Sequence, residues 1–114
     1  MTTVSTGHQA ETAAKVYLEM RGFHIIEQNW RKPRYEIDII AQKHGVIYFV
    51  EVKYRFGNQQ GGGFEAITSS KLQHMRNAAW AWVDEQKWHG EYVLSAIELA
   101  GPDFSILSFI ENAY

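Results

Sequence analysis

Glu36-Ile37-Asp38-Ile39-Ile40 and, after a short turn, Ile47-Tyr48-Phe49-Val50-Glu51-Val52-Lys53 are the stretches that decide the fold of this chain. Both are apolar enough for β-strands, and each carries charge at alternate positions. A strand repeats every two residues, so Glu36 and Asp38 share one face, and Glu51 and Lys53 share one face of the next strand. His44-Gly45 reads as a two-residue turn, with Gly tolerating positive φ. That register sets Asp38 opposite Glu51 and Glu36 opposite Lys53. Like charges directly across a sheet destabilise it, and carboxylates are rarely buried without partners. A cation placed between them resolves the conflict, so the pattern points to a metal-dependent hydrolase.

Working outward, Thr6-Gly7-His8-Gln9 fits a capping box, and Ala10, Ala13, Ala14, Tyr17 and Leu18 recur at helical spacing until Arg21-Gly22 stops the helix. Glu11 sits at the edge of this stripe, where a side chain can look across the core margin toward the sheet. Phe23 to Trp30 reads as a first strand, Tyr35 to Gln42 and Val46 to Tyr54 as the charged hairpin. The nearly unbroken apolar run from Val46 to Val52 predicts a strand covered on both faces. Residues 55–66, with Gly61-Gly62-Gly63, read as a mobile loop. They lack the lysine and Ser/Thr of a phosphate-binding loop.

A second helix is expected from Thr68 or Ser69 to Trp88, with Gly90 as its stop and Leu72, Met75, Ala79, Trp82 and Val83 on its buried face. Tyr92 to Leu99 and Phe104 to Ile110 follow as strands. The element order, αβββαβ with a final strand, is that of one α/β domain over residues 1–114, a mixed sheet flanked by helices.

The chain has 114 residues, enough for a core without staples, and ordinary contents of 46% hydrophobic and 21% charged residues. It has no cysteine, which excludes disulfides, thiolate zinc sites and cysteine nucleophiles. Met1-Thr2-Thr3-Val4-Ser5 lacks the basic and apolar regions of a signal peptide, and no stretch approaches membrane-spanning length; a cytoplasmic protein is expected. A net charge of −2 argues mildly against nucleic acid as a partner. The charge is unevenly spread, however: Arg31-Lys32-Pro33-Arg34 precedes the first acidic strand and Lys53-Tyr54-Arg55 closes the second. Solvated, snorkelling side chains are the common fate of such charges; phosphate contacts are the alternative use.

An aspartate followed by Glu-x-Lys on a neighbouring strand suits phosphodiester chemistry. Two carboxylates can hold Mg²⁺, which keeps several waters and bridges to a phosphate. The ion acidifies water and offsets charge building on the transition state, and Lys53, two residues past Glu51, points the same way. The competing structural role is a cross-strand charge network of Glu36, Glu51 and Lys53. The five histidines show no paired ligand spacing, which argues against zinc. Trp82 fits the core, leaving Trp80 or Trp88 for a homodimer surface or a base-stacking platform.

Gly7, Ala10-Glu11, Ala14, Leu18, Gly22, Asn29, Arg31, Glu36 to Ala41, Phe49 to Arg55, Lys71, Ala78 or Ala79, and Ile110-Glu111-Asn112-Ala113-Tyr114 together resemble the uncharacterised YraN-like family. That family looks similar to archaeal Holliday-junction resolvases within the restriction-endonuclease-like superfamily. The resemblance implies a restriction-endonuclease-like fold and catalytic positions at Glu11, Asp38, Glu51 and Lys53. It makes Glu11 a third, helix-borne carboxylate beside Asp38 and Glu51, with Mg²⁺ or Mn²⁺ as cofactor. The implied activity is hydrolysis of DNA, including branched or junction DNA. Arg31, Lys32, Arg34, Arg55 and Lys71 are the expected nucleic-acid contacts. Two departures stand out. Tyr35 replaces the family's usual Gly before Glu-Ile-Asp, and Val93-Leu94-Ser95 stands where Arg-Phe-Asp is frequent. The rival reading is a catalytically silent nucleic-acid-binding or partner-recruiting module on the same fold.

Overall fold

The computed structural model describes residues 3–55 and 69–113, with side chains from residue 6 onward. The elements are α1 (Thr3–Met20), β1 (His24–Lys32), β2 (Tyr35–Lys43), β3 (Val46–Arg55), α2 (Ser69–Gln86), β4 (Tyr92–Ala100) and β5 (Ser105–Ile110). The strands form one sheet in chain order, antiparallel except for the parallel pair β3–β4, which α2 connects. This is a mixed α/β sheet with two helices, compatible with the restriction-endonuclease-like fold. The predicted loop over 55–66 lies almost wholly outside the described residues. Among those residues no helix is long and apolar enough to cross a membrane.

The helix ends show local physics at work. α1 begins at Thr3, so Thr6 is a buried residue within the helix and not its cap, a correction to the capping-box expectation. Its end is as expected. Gly22 takes φ 90°, its amide donates to the Glu19 carbonyl, and Phe23 donates to Leu18, the paired bonds of a Schellman stop. In α2 the same motif falls on Lys87, with φ 56°, while Lys87 and Trp88 donate to Asp84 and Val83. The stop is therefore Lys87 and not Gly90, because the left-handed residue is set by where the helix runs out of apolar contacts. In the β2–β3 hairpin both His44 and Gly45 have positive φ, 52° and 78°, as a type I′ turn requires.

The sheet separates two apolar clusters. On one face Ala14, Leu18 and Phe23 pack against Ile39, Ala41, Val50, Ile97 and Leu99. On the other, Met75, Ala78, Ala79 and Trp82 of α2 pack against Trp30, Ile37, Ile40, Ile47, Phe49 and Leu94. β3 is the middle strand and contributes to both, as its apolar run predicts. Strict alternation fails once in β2: Ile37 and Ile40, three apart, share a cluster, while Ile39 and Ala41 face the other way. The break falls at Asp38.

Candidate active site

The β2–β3 ladder runs from Lys43↔Val46 to Ile39↔Val50 and ends there. Past that point Asp38 Oδ2 accepts the Val52 amide at 2.8 Å, so a carboxylate takes over from a backbone carbonyl. Asp38 and Glu51 line the same cavity where the strands open, but the ladder does not set them opposite each other as the expected register would. Glu36 and Lys53 do not face each other. Glu36 lies opposite Arg31 of β1 and pairs with it at 2.9 Å, and Lys53 sits beside Glu98 of the parallel strand β4. A ladder that stops at Ile39 cannot align the residues beyond it.

Glu36, Asp38 and Glu51 line a cavity of about 550 Å³, closed on its other side by Ser70, Lys71 and His74 of α2. Arg34 and Tyr35, from the β1–β2 turn and the start of β2, also line it, so Tyr35 does occupy space there. The Asp38 carboxyl is raised from 3.8 to about 7, chiefly by burial, then by the charge of Glu51, and more weakly by Glu11 and Glu36; the Val52 hydrogen bond opposes the rise. Lys71 pairs with Glu51, its Nζ standing 3.0 Å from Glu51 Oε2. Burial pulls the Lys71 ammonium down, but the charge and hydrogen bond of Glu51, with Asp38 and Glu36 behind it, outweigh burial and raise it.

Glu11 approaches from α1, the layer on the other side of the sheet. It is half-buried, and its charge reaches Asp38. Among the described residues no three His, Asp or Glu side chains stand together as ready-made metal ligands. The donor chemistry nevertheless fits a hard cation. Mg²⁺ typically takes one or two carboxylates and keeps its waters, a demand that Asp38 and Glu51 could meet.

The expected nucleic-acid contacts have diverse fates. Arg31 pairs with Glu36 and Lys32 with Glu85, both at the surface. Arg34 is exposed and lines the cavity. Lys71 is the partner of Glu51. Arg55 is turned inward onto Glu98. Trp82 is core, packed against Phe49, and Trp80 is 62% exposed. At the family's Arg-Phe-Asp position, Ser95 is fully buried and its hydroxyl donates to the Glu111 carbonyl, so a polar bond survives there in another form.

The model of the uncharacterised protein family UPF0102 matches residues 10–104. The chain belongs to this family. UPF0102 is the YraN-like group that the sequence resembles. Relatives include a UPF0102 protein of Vibrio campbellii, 40% identical over 94% of this chain and 89% of its own length. Another, from Shewanella frigidimarina, is 40% identical over 74% of this chain and 78% of its own length. A third, from Cytophaga hutchinsonii, is 32% identical over 93% of this chain and 94% of the relative. The UPF0102 match covers all four expected catalytic positions, from Glu11 to Lys53.

Sequence reasoning missed Glu98 and the place of His74 in the cavity wall. Glu98 carried a signal: a carboxylate inside the apolar run Ala96-Ile97-Glu98-Leu99 calls for a charged partner when buried. His74 carried none, because which helix residues overlook the sheet depends on how α2 docks.

Proposed function

We propose that this chain is a divalent-metal-dependent nuclease-fold protein that binds DNA and hydrolyses its phosphodiester bonds, with branched DNA as a substrate class. The observation that carries the reading is the meeting of Asp38 and Glu51 at the open end of the β2–β3 hairpin, where burial and repulsion lift the Asp38 carboxyl to about 7. A fold that keeps such a pair accepts a standing cost, which a cation removes. Asp38 and Glu51 would hold the ion and Glu11 would steady its outer waters. A bound divalent ion supplies charge neutralisation at the phosphate and acidifies water. Lys53, at the strand period from Glu51, meets the phosphate or orients the attacking water. Arg34 and His74 offer further donors to the backbone of the nucleic acid.

The silent-module reading is favoured by one observation: Arg31, Lys32, Arg55 and Lys71 are all engaged in ion pairs within the protein. Incubation of purified wild type with branched, single-stranded and duplex DNA, in Mg²⁺, Mn²⁺ or EDTA, separates the two. Metal-dependent cutting is expected. Lys53→Ala is expected to keep the metal-induced thermal shift while losing about two to three powers of ten in rate, the usual worth of one group aimed at transition-state charge. Binding without cleavage in any metal would hand the fold to the module reading.

A further inference from the structure

Lys71 lies near the start of the described part of α2, and its ammonium reaches across the cavity to Glu51. Its side chain is 45% exposed, whereas that of Glu51 is only 12% exposed. The carboxylate is therefore held in the wall, while nearly half of the lysine side chain lies in water. Asp38 and Glu36 add to the field that holds Lys71 there. The space between the sheet carboxylates and α2 is thus served by a side-chain cation.

We propose that Lys71 is the resident counter-cation of the Asp38–Glu51 site, displaced from Glu51 when a divalent ion binds and thereby released to contact the phosphate of the nucleic acid. This rests on the metal-dependent reading above. Two cations on one carboxylate compete: whatever the divalent ion gains at Glu51, the ammonium loses. The released Lys71 stays on the same cavity wall as Ser70 and His74, close to where a phosphate bridging to the ion would lie. Metal and nucleic acid binding are coupled through one lysine, so each is expected to strengthen the other.

The test uses the full chain and Mn²⁺ or non-catalytic Ca²⁺ alone. Lysines are acylated under limiting conditions with a succinimidyl ester and read residue by residue by mass spectrometry, with exposed Lys87 as the internal reference. Lys71 is expected to label about threefold to fivefold faster when the ion is present, the range set by losing an ion pair of this exposure. In Glu51→Gln it should label fast with or without the ion. Lys71→Gln should bind Mn²⁺ tighter by a similar factor, seen as a larger thermal shift at equal concentration. With Ca²⁺ present, the salt slope of DNA binding should steepen by about one in wild type and not in Lys71→Gln. A wild-type thermal shift with no change in Lys71 labelling overturns this exchange and leaves the nuclease reading standing. Faster labelling without the change in salt slope overturns the phosphate contact. A shift in Lys71→Gln but not in wild type supports the exchange, with Lys71 as the stronger competitor. No shift in either protein overturns both readings.

Discussion

Glu51 on β3 and Glu98 on β4 stand in neighbouring parallel strands on the same side of the sheet, and each has a cation, yet the two pairs are built differently. Glu98 is sealed: its side chain is 4% exposed, that of its partner Arg55 16%, and both belong to strands whose register is fixed along their length. Glu51 takes its cation from α2, a separate layer, through a long side chain that is half in water. Burial of both partners makes an ion pair part of the architecture, since neither charge can be left alone. Burial of one partner makes it exchangeable. The sheet thus holds a locked carboxylate beside an open one, and the open one adjoins Asp38, the carboxyl that burial and repulsion leave most in need of a cation.

The comparison breaks first at Glu98. Glu98→Ala leaves the largely covered Arg55 without its carboxylate and is expected to cost about 2–3 kcal/mol in urea unfolding. Glu98→Leu with Arg55→Met should recover most of that loss, because an apolar pair of similar volume replaces the ionic one. A single-site cost below about 1 kcal/mol would mean that the two pairs are not different in kind.

At Asp38 the expected effect is smaller and opposite in sign. A carboxyl held near 7 when folded and near 4 when unfolded favours the folded state while it keeps its proton. That contribution is present below about pH 4 and lost as pH rises toward 7. Asp38→Asn retains an acceptor for the Val52 amide and removes the repulsion. In the absence of metal it should stabilise the protein by roughly 2 kcal/mol at pH 8 and make little difference at pH 4. It should also abolish the Mn²⁺-induced thermal shift. Equal stability gains at both pH values would show that charge at Asp38 is not the cause.

The smallest change is expected for the open pair itself. Lys71→Met should alter metal-free stability by less than about 1 kcal/mol, and the difference should vanish near 1 M salt. A loss as large as that of Glu98→Ala would make Lys71 a structural residue and not an exchangeable one.

Much of this was legible in the sequence. Apolar periodicity set the element order, the two-faced character of β3 and the buried face of α2, because periods of 2 and 3.6 are properties of the local backbone. His44-Gly45 and Arg21-Gly22 carried their turn and stop in their own conformational preferences. The charges on one hairpin singled out Asp38 and Glu51, which line one cavity although the ladder does not pair them. Alternation was not enough to align Glu36 with Lys53, since a register holds only as far as the hydrogen-bonded ladder, and the Asp38 carboxylate ends it.

The identity of the cations was decided by tertiary structure alone. Arg55 and Glu98 are 43 residues apart and meet only because β3 and β4 pair in parallel. Lys71 and Glu51 meet only because α2 docks in one rotation over the sheet. Sequence pattern records which side chains leave water, but a charge is satisfied by whatever lies within a few ångströms. That neighbour is chosen by strand order and helix phase, neither of which a local repeat encodes.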